Sequence, residues 1–128
     1  MSTSGKILVM DDDKTITSLL DEILNNLGYD AEFVAHADEA LEKYKQAYQS
    51  NEPFDLVLMD IRVSHGKDGL IGVKMLKEYN PNVKVIVSSG FSTDDAVQNY
   101  KNYGFCDVLL KPYNLDKLSE ILEKHTNS

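Results

Sequence analysis

The stretch Phe54-Asp55-Leu56-Val57-Leu58-Met59-Asp60 decides the fold class of this chain. Four consecutive apolar residues end in a single carboxylate, and a short apolar run between polar residues is typical of a strand that is buried on both faces. Such strands form open α/β sheets, in which ligands bind beyond the carboxyl ends of the strands. The sequence therefore places Asp60 at the rim of a sheet, where a functional site would form.

The remainder of the chain predicts four more strands and five helices in alternation with them. Continuous apolar runs predict three strands, at 7–10, 83–87 and 108–110. The alternating polarity of 29–35 predicts another strand, at an edge of the sheet. Amphipathic stripes predict helices at 16–27, 37–48, 69–79, 92–103 and 114–122. This alternation indicates an α/β fold with a parallel sheet.

Three helix ends carry local signals. Gly28 is placed to end the first helix in a left-handed conformation. Ser92 and Asp95 resemble a capping box at the start of the fourth helix, and Asn114 can cap the fifth. These signals set the expected boundaries of the helices.

Length and composition restrict the class of protein. A chain of 128 residues suits one domain with a real core, which we place at 6–125 behind a flexible N-terminal tail at 1–5. The net charge of −8 disfavours a direct nucleic-acid partner, because phosphate binding requires a basic face. The single cysteine, Cys106, excludes an internal disulfide. Since no apolar run reaches the ~18 residues of a membrane span, we expect a cytoplasmic protein without membrane insertion.

Charged and hydroxyl side chains stand at the carboxyl ends of the predicted strands. Asp11 and Asp12 follow the first strand, Asp60 ends the third, and Ser89 and Lys111 follow the fourth and the fifth. Carboxylates held this close repel one another, so the cluster is expected to hold a cation, and hard oxygen ligands favour Mg²⁺ (or Mn²⁺). Lys111 and Ser89 would complete a site for a phosphoryl oxygen, with Asp60 as the nucleophile.

This constellation resembles the receiver domains of two-component response regulators, and the resemblance covers residues 6–125. The segment 88–92 is similar to that of receivers fused to hybrid sensor histidine kinases. The resemblance implies a doubly wound, flavodoxin-like sheet of strand order 2-1-3-4-5 with helices on both faces. It implies that Asp60 is phosphorylated with the help of Ser89 and Lys111. It also implies four ligands for Mg²⁺, namely Asp11, Asp12, Asp60 and the backbone carbonyl of Arg62.

The resemblance further implies a role in phosphorelay signal transduction. A sensor histidine kinase or a phosphotransfer protein would donate the phosphoryl group, and phosphorylation would switch a surface that binds a downstream target. The domain would catalyse only its own phosphoryl transfer and hydrolysis. The chain departs from the family at Val108, where an aromatic residue is common, and the large residues Arg62 and Phe91 predict slow access of the hydrolytic water to the site.

Two alternatives compete with this interpretation. The stretch 11–15 also fits the opening motif of haloacid-dehalogenase-type phosphatases, with Asp11 as the nucleophile and Asp13 as the general acid. That assignment leaves Asp60 without a role. The chain is also too short to include the cap of such a phosphatase. The other alternative is a degenerate receiver that binds partners without phosphorylation, which Val108 favours and the complete acidic set opposes.

Overall fold

The computed structural model describes residues 5–62 and 69–126, and its centre is a five-stranded parallel sheet. The strands lie in the order β2-β1-β3-β4-β5, which confirms the predicted order and the edge position of the second strand. Their bounds are β1 Gly5–Met10, β2 Tyr29–Val34, β3 Leu56–Asp60, β4 Val85–Ser89 and β5 Asp107–Leu110. The stretch that ends at Asp60 is the central strand, and all of its residues are buried.

Helices cover both faces of the sheet, as predicted. Their bounds are α1 Lys14–Asn26, α2 Ala37–Gln49, α3 Gly69–Tyr79, α4 Asp95–Gln98, a 3₁₀ helix at Tyr100–Tyr103, and α5 Leu115–Thr126. Successive residues of β3 point to opposite faces, so Val57 packs with α2 and α3 while Leu58 packs with α1 and α5. The two cores explain why this strand is apolar throughout.

Several predicted boundaries are confirmed. The third helix has the predicted bounds, Gly28 has a φ of 89°, and the Asn114 side chain accepts a hydrogen bond from the Lys117 amide at 3.0 Å. The N-terminal tail was predicted one residue too long, because Gly5 already pairs with Tyr29 in the sheet. Residues 1–4 lie outside the described part of the chain. Within 5–62 and 69–126, no helix is long and apolar enough to cross a membrane.

The fourth helix differs from its prediction. A continuous helix was expected over 92–103, whereas α4 has only four residues and gives way to the 3₁₀ helix at Asn99, whose φ and ψ are −119° and 40°. The predicted capping box is wrong, since Asp94 occupies the N-cap position and its side chain makes no capping hydrogen bond. The first turn of α4 therefore lacks a side-chain cap, and the helix ends where the backbone of Asn99 leaves helical geometry. The Asp94 carboxylate is bound elsewhere, at the candidate site.

Candidate functional site

Three carboxylates meet at the carboxyl ends of β1 and β3. Asp60 is the last residue of β3, while Asp11 and Asp12 follow β1, which lies beside it in the sheet. One oxygen of each residue lies within 4.8 Å of the other two. Asp11 and Asp60 are only 4% and 5% exposed, and Asp12 is half-buried. The parallel sheet thus brings these side chains together as its topology requires.

Lys111 joins the cluster from the segment directly after β5, the edge strand that lies two strands away from β3. Its Nζ lies 2.8 Å from Oδ2 of Asp11 and 3.0 Å from Oδ2 of Asp60. The Lys111 amide donates to the Ser89 carbonyl oxygen at 2.8 Å, which fixes the backbone of Lys111 at the end of β4. Burial disfavours the charged ammonium, but the two carboxylates outweigh burial and raise the pKa of Lys111. The side chain is therefore a permanent positive charge at this site.

Asp60 is held in an environment that disfavours its charge. Burial raises the pKa of Asp60, and the neighbouring Asp11 acts in the same direction. The Arg62 amide, which donates to Oδ1 at 3.1 Å, and Lys111 compensate only in part. The ionised form of Asp60 would therefore be stabilised by a further positive charge.

The donor set fits a hard divalent cation. The carboxylates of Asp11, Asp12 and Asp60 are close enough to share one ion, and the two buried ones share a single ammonium among the described contacts. Within the described residues, no histidine or cysteine belongs to the cluster. Oxygen donors with surplus negative charge suit Mg²⁺ and are unlike a zinc site.

The two serines at the end of β4 point to different partners. Ser89 is 1% exposed, and its hydroxyl donates to Oδ2 of Asp94 at 2.8 Å. The Phe91 amide in turn donates to Oγ of Ser89 at 3.0 Å. Ser88 lies opposite Asp60 in the sheet register, but its Oγ is 2.7 Å from the hydroxyl of Tyr113. Ser88 therefore joins β4 to the segment after Lys111, and Ser89 joins the site to α4.

Arg62 contributes to the site through its backbone, while its side chain turns to the surface. Its Nη2 donates to Oδ1 of Asp94 at 2.7 Å, and the guanidinium lies 5.2 Å from the centre of the Phe91 ring. Arg62 lowers the pKa of Asp94, with a smaller contribution from Ser89. Arg62, Phe91 and Asp94 thus form one contact group beside Asp60.

Sequence reasoning missed Asp94, Tyr113 and the role of Asp13. Oδ1 of Asp13 accepts from the amides of Thr15 at 2.9 Å and Ile16 at 3.3 Å, so Asp13 caps α1. An aspartate directly before an amphipathic stripe is a capping signal that could have identified this role. The contacts of Asp94 with Arg62 and of Tyr113 with Ser88 join residues 32 and 25 positions apart, and no local pattern predicts them.

Replacing Asp60 by Asn is expected to raise the free energy of unfolding by about 1 kcal/mol near pH 7 in the presence of a chelator. The raised pKa means that Asp60 contributes most to stability below the pKa of the unfolded chain, and that this contribution is lost as the pH rises through the folded pKa. An asparagine at position 60 does not ionise, so its contribution to stability is not lost as the pH rises. It also leaves the ion pair between Lys111 and Asp11 intact. Urea unfolding should show a gain near pH 7 that shrinks toward pH 4, whereas a less stable variant near pH 7 would contradict the account.

Comparison with known proteins identifies a family. A model of the response regulator receiver domain matches residues 7–123. Sporulation initiation phosphotransferase F of Bacillus subtilis is 31% identical over 120 residues, which are 94% of this chain and 92% of that protein. The transcriptional regulatory protein ZraR of Salmonella typhimurium is 32% identical over 118 residues, or 92% of this chain. The chain spans only 25% of the length of that regulator.

The solved structures agree on the fold. The receiver domain of the sensor histidine kinase PA1611 from Pseudomonas aeruginosa superimposes with a TM-score of 0.84 at 23% identity. The match covers 97% of this chain and 98% of that one. That crystal structure has a magnesium ion coordinated in its active-site cleft.

Proposed function

Because the chain belongs to the response regulator receiver domain family, whose members serve phosphorelay signalling, we propose that residues 6–125 form a receiver that is phosphorylated on Asp60. The observation that carries this proposal is the buried Asp60 carboxylate, 3.0 Å from the Lys111 ammonium and beside Asp11 and Asp12. A carboxylate in this setting can form an acyl phosphate. Asp60 is therefore the phosphoryl acceptor.

The reaction transfers a phosphoryl group from a phosphohistidine of a sensor histidine kinase or a phosphotransfer protein. A carboxylate oxygen of Asp60 forms the new bond to phosphorus while the phosphorus–nitrogen bond of the donor breaks, and the imidazole leaves with the bonding electron pair. Lys111 offsets negative charge as the phosphoryl group approaches, and the Ser89 hydroxyl donates a hydrogen bond to a phosphoryl oxygen. The carboxylates of Asp11, Asp12 and Asp60 and the Arg62 carbonyl would hold Mg²⁺ (or Mn²⁺), which would supply further charge neutralisation.

The contacts of Asp13 disfavour the phosphatase alternative. A general acid must offer a proton to a leaving group, whereas the Asp13 carboxylate accepts two backbone N–H groups as the cap of α1. Asp60, which has no role in that alternative, instead lies inside the carboxylate cluster with Asp11. The complete cluster with Lys111 equally disfavours a degenerate receiver. The domain then catalyses only its own phosphoryl transfer and hydrolysis.

Val108 bears on how the phosphorylated state reaches a downstream target. The side chain is half-buried on β5 and packs against the core between the sheet and α3. A valine has one short, branched side chain and cannot alternate between exposed and buried poses as an aromatic ring can. We infer that signalling runs through the Ser89 segment and α4.

Replacing Arg62 or Phe91 by Ala is expected to shorten the lifetime of the phosphorylated state by about threefold to tenfold. The Arg62 amide donates to Oδ1 of Asp60 and the Arg62 guanidinium lies 5.2 Å from the centre of the Phe91 ring, so we infer that these two large side chains restrict the approach of water to a phosphoryl group on Asp60. The decay of the phosphorylated protein, followed by intact mass after removal of the donor, measures the lifetime. An unchanged lifetime in both variants would contradict the proposed shielding.

The proposed function is tested by incubation with acetyl phosphate, with and without Mg²⁺, followed by intact mass spectrometry. We expect the wild-type protein to gain one phosphoryl group only when Mg²⁺ is present, and the folded Asp60→Asn variant to gain none. Phosphorylation that persists in Asp60→Asn would assign the nucleophile to another carboxylate. Absence of phosphorylation in the wild-type protein, although Mg²⁺ binds, would favour the degenerate receiver.

A further inference from the structure

The hydroxyl of Ser89 is already bonded in this structure, and its partner is not part of the carboxylate cluster. A serine hydroxyl carries one proton and can make one strong donor bond at a time. Here that proton is directed to Oδ2 of Asp94 at 2.8 Å, with a longer contact of 3.3 Å to the Phe91 carbonyl oxygen. Ser89 cannot donate to a phosphoryl oxygen on Asp60 until it leaves Asp94.

The Asp94 carboxylate is held in place from both of its oxygens. Its other oxygen accepts from Arg62 at 2.7 Å, and the side chain is only 15% exposed although Arg62 is 66% exposed. The Phe91 ring lies against the guanidinium that holds it. Asp94 stands at the N-cap position of α4 but gives the helix no side-chain hydrogen bond. Its two oxygens therefore serve Ser89 and Arg62.

We propose that Asp94 is a positioning residue that holds Ser89 in the unphosphorylated orientation and opposes phosphorylation until the contact between them breaks. This inference rests on the proposed function, because it concerns the hydrogen bond that Ser89 gives to the phosphoryl group. A hydrogen bond to a carboxylate is among the stronger ones in proteins. Its loss is part of the free energy needed to form the phosphorylated state.

The contact group also joins two loops that meet at the site. Arg62 follows β3 and Asp94 follows β4. Because the Arg62 side chain is bonded to Asp94, the release of Ser89 from Asp94 changes the surroundings of that side chain. The same step frees Oδ2 of Asp94 at the start of α4, while Oδ1 keeps its bond to Arg62. Phosphorylation of Asp60 thereby reaches α4 through Ser89 and Asp94, without an aromatic residue at Val108.

The test measures the affinity for beryllofluoride, a mimic of the phosphoryl group, in the presence of saturating Mg²⁺. The NMR signals of the Gly90 and Phe91 amides report the binding. Asp94→Ala is expected to bind beryllofluoride about tenfold more tightly than the wild-type protein. The matched control is Asp95→Ala, which removes the neighbouring negative charge and its contacts with Asn99 and Tyr103. That control should lie within about twofold of the wild-type affinity. Equal gains in both variants would overturn the proposal.

A double-mutant comparison separates the hydrogen bond from the charge of Asp94. Removing a carboxylate near an anionic ligand strengthens binding simply by relieving Coulomb repulsion, and this part of the gain persists in a Ser89→Ala background. In that background, we expect Asp94→Ala to raise the affinity for beryllofluoride by no more than about twofold. Most of the tenfold effect would then depend on the Ser89 hydroxyl. A full tenfold gain without the Ser89 hydroxyl would overturn the proposal.

A measurement without ligand completes the test. In Asp94→Ala, the Gly90 and Phe91 amide resonances should move toward their positions in the beryllofluoride-bound wild-type protein, because Ser89 is released. In Asp95→Ala they should stay near the unbound positions. Unmoved resonances in Asp94→Ala would overturn the proposal even if the ligand binds. A wild-type protein that binds no beryllofluoride with Mg²⁺ would instead refute the proposed function.

Discussion

Gly69→Ala is expected to lower the free energy of unfolding by about 3 kcal/mol and to weaken Mg²⁺ binding by about tenfold or more. A Cβ atom at position 69 would lie 2.6 Å from the Asp60 carbonyl oxygen and 3.0 Å from both the Asp60 carbonyl carbon and Cα of Ile61. These are backbone atoms at the end of the central strand and directly after it, so no side chain can rotate to relieve the clash. Either α3 or the end of β3 must move, and the Asp60 carboxylate moves with that strand.

Gly90→Ala is the matched control for this variant. Gly90 also lies beside the site, directly after Ser89, but a Cβ atom there would meet nothing within 4 Å. We expect its stability and Mg²⁺ affinity to remain close to those of the wild-type protein. Urea unfolding and titration calorimetry with Mg²⁺ measure both quantities. Equal effects of the two substitutions would contradict the close approach of α3 to Asp60.

Lys111→Met is expected to lower the free energy of unfolding by about 3 kcal/mol when a chelator is present. The substitution keeps an unbranched side chain but leaves the buried Asp11 and Asp60 carboxylates without the ammonium that lies within 3.0 Å of both. Mg²⁺ should restore much of this loss and should bind more tightly than to the wild-type protein, because it becomes the main counter-charge. Phosphorylation by acetyl phosphate should nevertheless be about 100-fold slower, since the charge next to the approaching phosphoryl group is missing.

Lys124→Met provides the comparison for this experiment. Its ammonium also pairs with a carboxylate, 3.7 Å from Asp107, but the side chain is 70% exposed. An exposed pair contributes little, so we expect a change below about 0.5 kcal/mol and no effect of Mg²⁺. Urea unfolding of both variants with and without Mg²⁺ measures the difference. A Lys111→Met variant as stable as Lys124→Met would contradict a site organised by one shared ammonium.

The positions of the site residues could be predicted because they depend on topology. Once the apolar runs before Asp11, Asp60 and Ser89 are taken as parallel strands, their carboxyl ends must lie at one edge of the sheet. The neighbouring strands β1 and β3 then bring oxygens of Asp11 and Asp60 within 4.8 Å of each other. The helix bounds at 69–79 and the cap at Asn114 followed from periodicity and local signals in the same way. These features are set by short stretches of sequence.

The contacts of Asp94 show what local patterns do not contain. Its place two residues before an apolar stripe fits a helix start equally well whether its carboxylate caps the helix or binds a distant residue. The choice depends on Arg62, which the fold brings within 2.7 Å from 32 positions away. The role of Asp94 could therefore not be read from residues 92–103 alone.

The central claim, that Asp60 is the phosphoryl acceptor, is tested most directly by locating the modification. Reduction of the phosphorylated protein with borohydride converts an aspartyl phosphate to homoserine, and peptide mapping then identifies the residue. We expect homoserine at position 60, formed only when Mg²⁺ was present during phosphorylation. Homoserine at position 11 or 12 with an unmodified Asp60 would contradict it.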